Sequence, residues 1–253
     1  MEAFFDFAIT RRLLLPVVAL AVVACQSEGG SSGTAEPAAR PASEASAGAG
    51  DSAAASAADA APIEHSLVPL PGKERDAPVL TRATRVVLET DAGDVTIEVY
   101  PEAAPNAAER FIELAASGFY DGTPISRVVP GFVAQFGINW REPHRAWRDR
   151  PFPDDPSLFS LAPGTLAFAK AGPGTSTTQV FINTAQNDRL ALPQFGAFSV
   201  FGKVVEGMDV VERFVRTGDP SMGLDQMRLW TDGEAYLDSL ETKPTMIERA
   251  VVL

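Results

Sequence analysis

Tyr120-Asp121-Gly122-Thr123-Pro124-Ile125-Ser126-Arg127-Val128-Val129-Pro130-Gly131-Phe132-Val133-Ala134-Gln135 is the stretch from which the rest of the chain is read. Two β-rich runs, Ser126 to Val129 and Phe132 to Phe136, are parted by Pro130-Gly131, a pair that makes a turn and does not sit inside a regular ladder. If side chains alternate strictly along these runs, Arg127, Val133 and Gln135 share one face, although Pro130-Gly131 is able to break that register.

Upstream, Val86 to Thr90 and Val95 to Val99 flank the turn cluster Asp91-Ala92-Gly93-Asp94 and predict a β-hairpin. Ala107, Ala108, Phe111, Ile112, Leu114 and Ala115 then recur at helical spacing, with Pro105 in the first turn and Gly118 as the stop. Downstream, strands are expected at Thr165 to Ala169, Gln179 to Asn183, Ser199 to Val205 and Met246 to Val252. A short helix is expected at Met208 to Val215, with Val211 and either Phe214 or Val215 facing in. Asn139 to Ala162 and Gly218 to Gly233 read as irregular, with Trp140, Trp147 and Trp230 as loop anchors and Asp154-Asp155 as a solvated turn. Many short strands and two good helices make the fold mainly β, an antiparallel barrel or a sandwich.

The 253 residues carry 33 acidic against 21 basic side chains, a net charge of −12, with no run of Lys and Arg interleaved with aromatics, which argues against a nucleic-acid partner. The two histidines, His65 and His144, have no ligand-spaced companions, so no metal is expected. Without a Gly-rich phosphate loop, no cofactor is expected either.

The N-terminus reads as an address. Arg11 and Arg12 precede the apolar run Leu13 to Ala24, too short for a stable membrane span, so residues 1–24 read as a signal peptide. Val22-Val23-Ala24-Cys25 resembles the lipobox of bacterial lipoproteins, and Cys25 is the single cysteine of the chain. That resemblance implies lipidation at Cys25 and a membrane anchor, and leaves no thiol for a disulfide in the mature domain. Gln26 then implies the periplasmic face of the outer membrane, and Thr10-Arg11-Arg12-Leu13-Leu14 leaves twin-arginine export open beside the general route. Residues 25–80, rich in Ala, Ser, Gly and Pro, read as a disordered tether, and residues 81–253 as one domain.

The Tyr120 to Gln135 stretch resembles the turn and the arginine-to-glutamine signature of the cyclophilins. Gly164 to Lys170, Thr175 to Gln179, Phe181-Ile182-Asn183 and Val200 to Val211 resemble later parts of that family in the same order. The resemblance implies a closed eight-stranded antiparallel barrel capped by two α-helices, with an active groove on its outer surface. It implies a peptidyl-prolyl cis-trans isomerase, monomeric, acting on Xaa-Pro segments of exported proteins. Arg127 is implied as the catalytic residue and Gln135 as its neighbour. Phe132, Val133, Phe181 and Leu190 would line a proline pocket, Ala169 and Gln179 would flank the groove, and the backbone of Lys170 would pair with substrate. Phe198 takes the place of a rim histidine.

The chemistry suits these residue types. Rotation about an Xaa-Pro bond faces a barrier of roughly 18–20 kcal/mol from amide resonance, and no proton or covalent bond has to move. A permanently charged guanidinium can aim a donor at the prolyl nitrogen, whose lone pair is available only once resonance is broken. The sequence departs from the family at Ser126, Phe198, Lys170 and Phe136-Gly137-Ile138, and Arg189 stands where a tryptophan marks cyclosporin-sensitive members, which implies weak cyclosporin binding. Phe136 in a glycine position is the departure that bears most on backbone shape. A groove altered in this way leaves open a Pro-peptide-binding chaperone or scaffold with little turnover.

Overall fold

The computed structural model describes residues 67–253; the stretch read as a signal peptide, Cys25 and the part of the expected tether as far as residue 66 lie outside the described residues. Among the described residues eight strands form: β1 Thr84–Thr90, β2 Gly93–Val99, β3 Thr123–Val129, β4 Val133–Phe136, β5 Thr165–Phe168, β6 Val180–Asn183, β7 Val200–Glu206 and β8 Met246–Val252. They close in the order β1-β2-β7-β5-β6-β4-β3-β8, and every pairing is antiparallel. Closure removes both sheet edges, which settles the choice between barrel and sandwich.

Strict alternation fills the barrel. Val86 and Leu88 on β1, Val95 and Ile97 on β2, Phe136 on β4, Leu166 on β5 and Ile182 on β6 are fully buried in one cluster. Helix α1, Pro105–Ala116, covers one opening and drives Phe111 into that cluster, 5.1 Å from Phe201 and 5.5 Å from Tyr120 between ring centroids. Helix α2, Met208–Glu212, is shorter than the periodicity predicts. Val211 and Phe214 face in, and Val215 is exposed.

Three readings need correction. Gly218 to Gly233 is not wholly irregular: Gln226–Thr231 forms α3, and α4 follows at Glu234–Ser239. Trp230 is therefore a helical core residue, packed with Ile138, Leu224, Leu229, Tyr236 and Leu237 in a small apolar cluster of its own. Asp154-Asp155 is not a solvated turn either. The residue before helix α1, Ala104, offers no side-chain cap, and Asp155, 7% exposed, supplies one from a distance, accepting the N–H groups of Asn106 (3.2 Å) and Ala107 (2.9 Å). Finally, the ordered fold reaches upstream of residue 81: Leu67 and Leu80 are buried, Ser160 donates its N–H to the Val68 carbonyl, and Leu70 donates to that of Leu158. The large apolar side chains in this part of the spacer give it something to bury.

Asp155→Ala removes the acceptor from a buried helix start and is expected to cost about 1–2 kcal/mol in urea denaturation, with Asp155→Asn costing less because its amide oxygen still accepts. Equal losses from the two changes would show that the carboxylate does not cap α1.

Candidate active site

The candidate residues form one row across the outer face of the barrel. Arg127 of β3 pairs with Gln135 of β4, Gln135 with Phe181 of β6, and Phe181 with Ala167 of β5. Pro130-Gly131 does not break the parity, because Val129 pairs with Val133 and the turn takes up only the residues between them. The irregularity falls instead between Ile125 and Arg127, placing Ser126 in a bulge, where its hydroxyl donates to the Gln135 carbonyl at 3.2 Å. A bulge adds twist and re-aims the next side chain, and here that side chain is Arg127.

Arg127 is 5% exposed. Its Nε donates to the Ser221 carbonyl at 2.7 Å and its Nη1 to Gln135 Oε1 at 3.3 Å, while its Cζ lies 5.6 Å from the centre of the Phe132 ring. Burial pulls its pKa below the ordinary arginine value. An arginine starts so high that the group remains a cation at neutral pH. Of its five donors, the two bonds described occupy two.

Phe132, Val133, Ala169, Phe181, Leu190 and Phe198 all belong to one apolar cluster outside the barrel. Val133, Phe181 and Phe198 are buried within it, with the Phe181 and Phe198 rings edge-to-face at 5.5 Å. Gln179 stands beside Gln135, accepting from its Nε2 at 2.8 Å. The structure thus brings together every residue named for the groove.

Sequence reasoning named Lys170 for its backbone alone, missing what its side chain does, and missed several neighbours altogether. The Lys170 ammonium is buried against Asp154 (2.9 Å), donates to the Ala197 carbonyl (3.3 Å) and lies 5.4 Å from the centre of the Phe198 ring, so this lysine braces the pocket rim. Ser221, Met222 and Gln226 come from the stretch read as irregular. Met222 and Gln226 join Arg127, Gln135, Gln179 and Ala169 in lining a groove of about 110 Å³. Gly223 makes that approach possible: a Cβ there would lie 2.3 Å from the Ser126 carbonyl oxygen, and its φ is +75°. The available signal was Asp225, a residue type favoured at helix N-caps, just ahead of the run that holds Leu229 and Trp230.

The arrangement offers a buried, fixed cation beside an apolar cleft, with amides on its other side. The family model described as "Cyclophilin type peptidyl-prolyl cis-trans isomerase/CLD" matches residues 85–227. A peptidyl-prolyl cis-trans isomerase of Acinetobacter baylyi is 36% identical over 149 residues, covering 56% of this chain and 78% of that protein. Peptidyl-prolyl cis-trans isomerase A of Dickeya dadantii is 32% identical over 178 residues, covering 68% and 86%. A crystal structure of a cyclophilin type isomerase from Cryptosporidium parvum superposes with a TM-score of 0.50 at 22% identity, over 68% of this chain and 98% of that one, a likeness of fold. With its barrel, its ordered motifs and these relatives in agreement, the chain belongs to the cyclophilin-type peptidyl-prolyl cis-trans isomerases.

Proposed function

We propose that this isomerase acts on Xaa-Pro segments of exported proteins in the cell envelope, as a monomer held by lipid on Cys25 at the periplasmic face of the outer membrane, with Arg127 as its catalytic residue. The observation that carries the catalytic part is the buried guanidinium, fixed by the Ser221 carbonyl and Gln135 and still holding unspent donors. As the Xaa-Pro bond twists, its nitrogen gains a lone pair that planar amide lacks, and a preorganised donor favours the twisted form over both planar ones. The apolar cluster from Phe132 to Phe198 would hold the proline ring while the preceding carbonyl swings. The envelope part rests on the sequence at residues 11–26 and on the relation of Cys25 to the run before it.

A binding role with little turnover is the second reading, favoured by the altered rim, where buried Phe198 takes the place of a histidine. Exchange spectroscopy on short Xaa-Pro peptides separates the two. The wild-type chain is expected to speed exchange and Arg127→Ala to lose about 10²- to 10³-fold in kcat/KM while remaining folded. Peptide binding with exchange at the uncatalysed rate would leave only the binder.

His144 is not among the groove residues, and the charged form of Arg127 is the active one. A lowered arginine pKa would remove that form only as pH rises, and an arginine starts so high that the cation persists throughout the working range, so kcat/KM is expected to be flat over roughly pH 6–9. A midpoint near 6.5 would place a titrating imidazole in the reaction. For the anchor, Cys25→Ser is expected to abolish labelling by radioactive palmitate and to release the chain from the membrane pellet; retained labelling would refute lipidation at that residue.

A further inference from the structure

We infer that Gln226 is a positioning residue that ends a one-way chain of amide hydrogen bonds and thereby fixes the side chain beside Arg127. The inference rests on the reading of Arg127 as the catalytic donor. Arg127 can only donate, so Gln135 must turn its oxygen toward it, as the 3.3 Å contact from Nη1 to Oε1 records. The amide of Gln135 then has only its NH₂ left for Gln179, and Gln135 Nε2 donates to Gln179 Oε1 at 2.8 Å. Gln179 in turn has only its NH₂ left, and donates to Gln226 Oε1 at 3.2 Å. The direction of every bond is dictated by Arg127 at one end, and it can be kept only if position 226 accepts at the other.

Gln226 is held well enough to serve. It opens α3 behind Asp225, whose carboxylate accepts the Arg228 N–H at 3.0 Å and whose own N–H donates to the Tyr236 hydroxyl at 3.0 Å. Leu229 and Trp230 bury the helix in the cluster that includes Ile138, and Gly223 hooks the preceding turn against Ser126 and Arg127. All four members of the chain line the same groove.

A donor at 226 would reverse the chain. Gln179 would turn its oxygen toward the newcomer, Gln135 would lose its acceptor at Gln179, and its NH₂ would swing toward the guanidinium, setting donor against donor. An apolar side chain at 226 would merely release the amides to rotate. A carboxylate there would accept as Gln226 does.

The test measures kcat and KM separately by exchange spectroscopy on the full-length chain with an Xaa-Pro peptide. Gln226→Glu is expected to keep about half or more of kcat, Gln226→Leu to lose about three- to fivefold, and Gln226→Lys to lose about tenfold or more, with KM within about twofold throughout. Adding Gln179→Glu to Gln226→Lys restores an acceptor facing both the new ammonium and Gln135 Nε2, and is expected to bring kcat back to within about threefold of wild type. Such rescue cannot arise from a chain that failed to fold. Equal effects of the three single changes, an effect on KM alone, or a double variant as slow as Gln226→Lys would each overturn the inference. Arg127→Ala in the same assay separates the two levels: if it retains wild-type kcat the reading of Arg127 fails, and if it is inactive while the Gln226 series is flat only the role of Gln226 fails.

Discussion

A guanidinium that is 5% exposed has given up most of its water, and the protein must replace that solvation or lose the charge. Much of the outer face of the barrel around β3 and β4 can be understood as that replacement. The Ser221 carbonyl takes Nε, Gln135 takes Nη1, and the Phe132 ring faces the delocalised cation. The carbonyl can be there only because Gly223 lets the chain approach Ser126 at backbone distance, with the Leu224 N–H donating to the Ser126 carbonyl at 2.8 Å. That approach in turn needs an anchor, which α3 and α4 provide.

The family departures fall into place around the same anchor. Phe136 stands in a glycine position, yet it points into the barrel, fully buried, with its ring 5.3 Å from Tyr120. The residue with an unusual backbone is Gly137, at φ +105°, where a Cβ would meet the Thr178 carbonyl at 2.3 Å; glycine is kept where the backbone requires it. Ile138, the other departure in this stretch, is fully buried in the apolar cluster under α3 and α4. The isoleucine thus gives α3 and α4 something to pack on.

Strand positions and the shared face of Arg127, Val133 and Gln135 were legible because side-chain alternation survives any detail of packing. The choice of a closed barrel over a sandwich was not, since periodicity is the same in both, and it came from resemblance. Asp155 was illegible for another reason: it caps a helix that begins about fifty residues earlier, and no local pattern records a partner that far away. Helices α3 and α4 are six residues each, too short for a helical period to stand out, and they exist because of the cluster they cover rather than by intrinsic propensity. The brace of Lys170 on Phe198 was missed in the same way, because only folding brings Asp154 and Ala197 to the ammonium.

The row from Arg127 through Gln135 and Phe181 to Ala167 runs at right angles to four hydrogen-bonded strands of a sheet without edges. No member of such a row can slide past its neighbour without breaking the ladders on both sides of it. The sheet side of the groove therefore has little conformational freedom to surrender when a peptide docks.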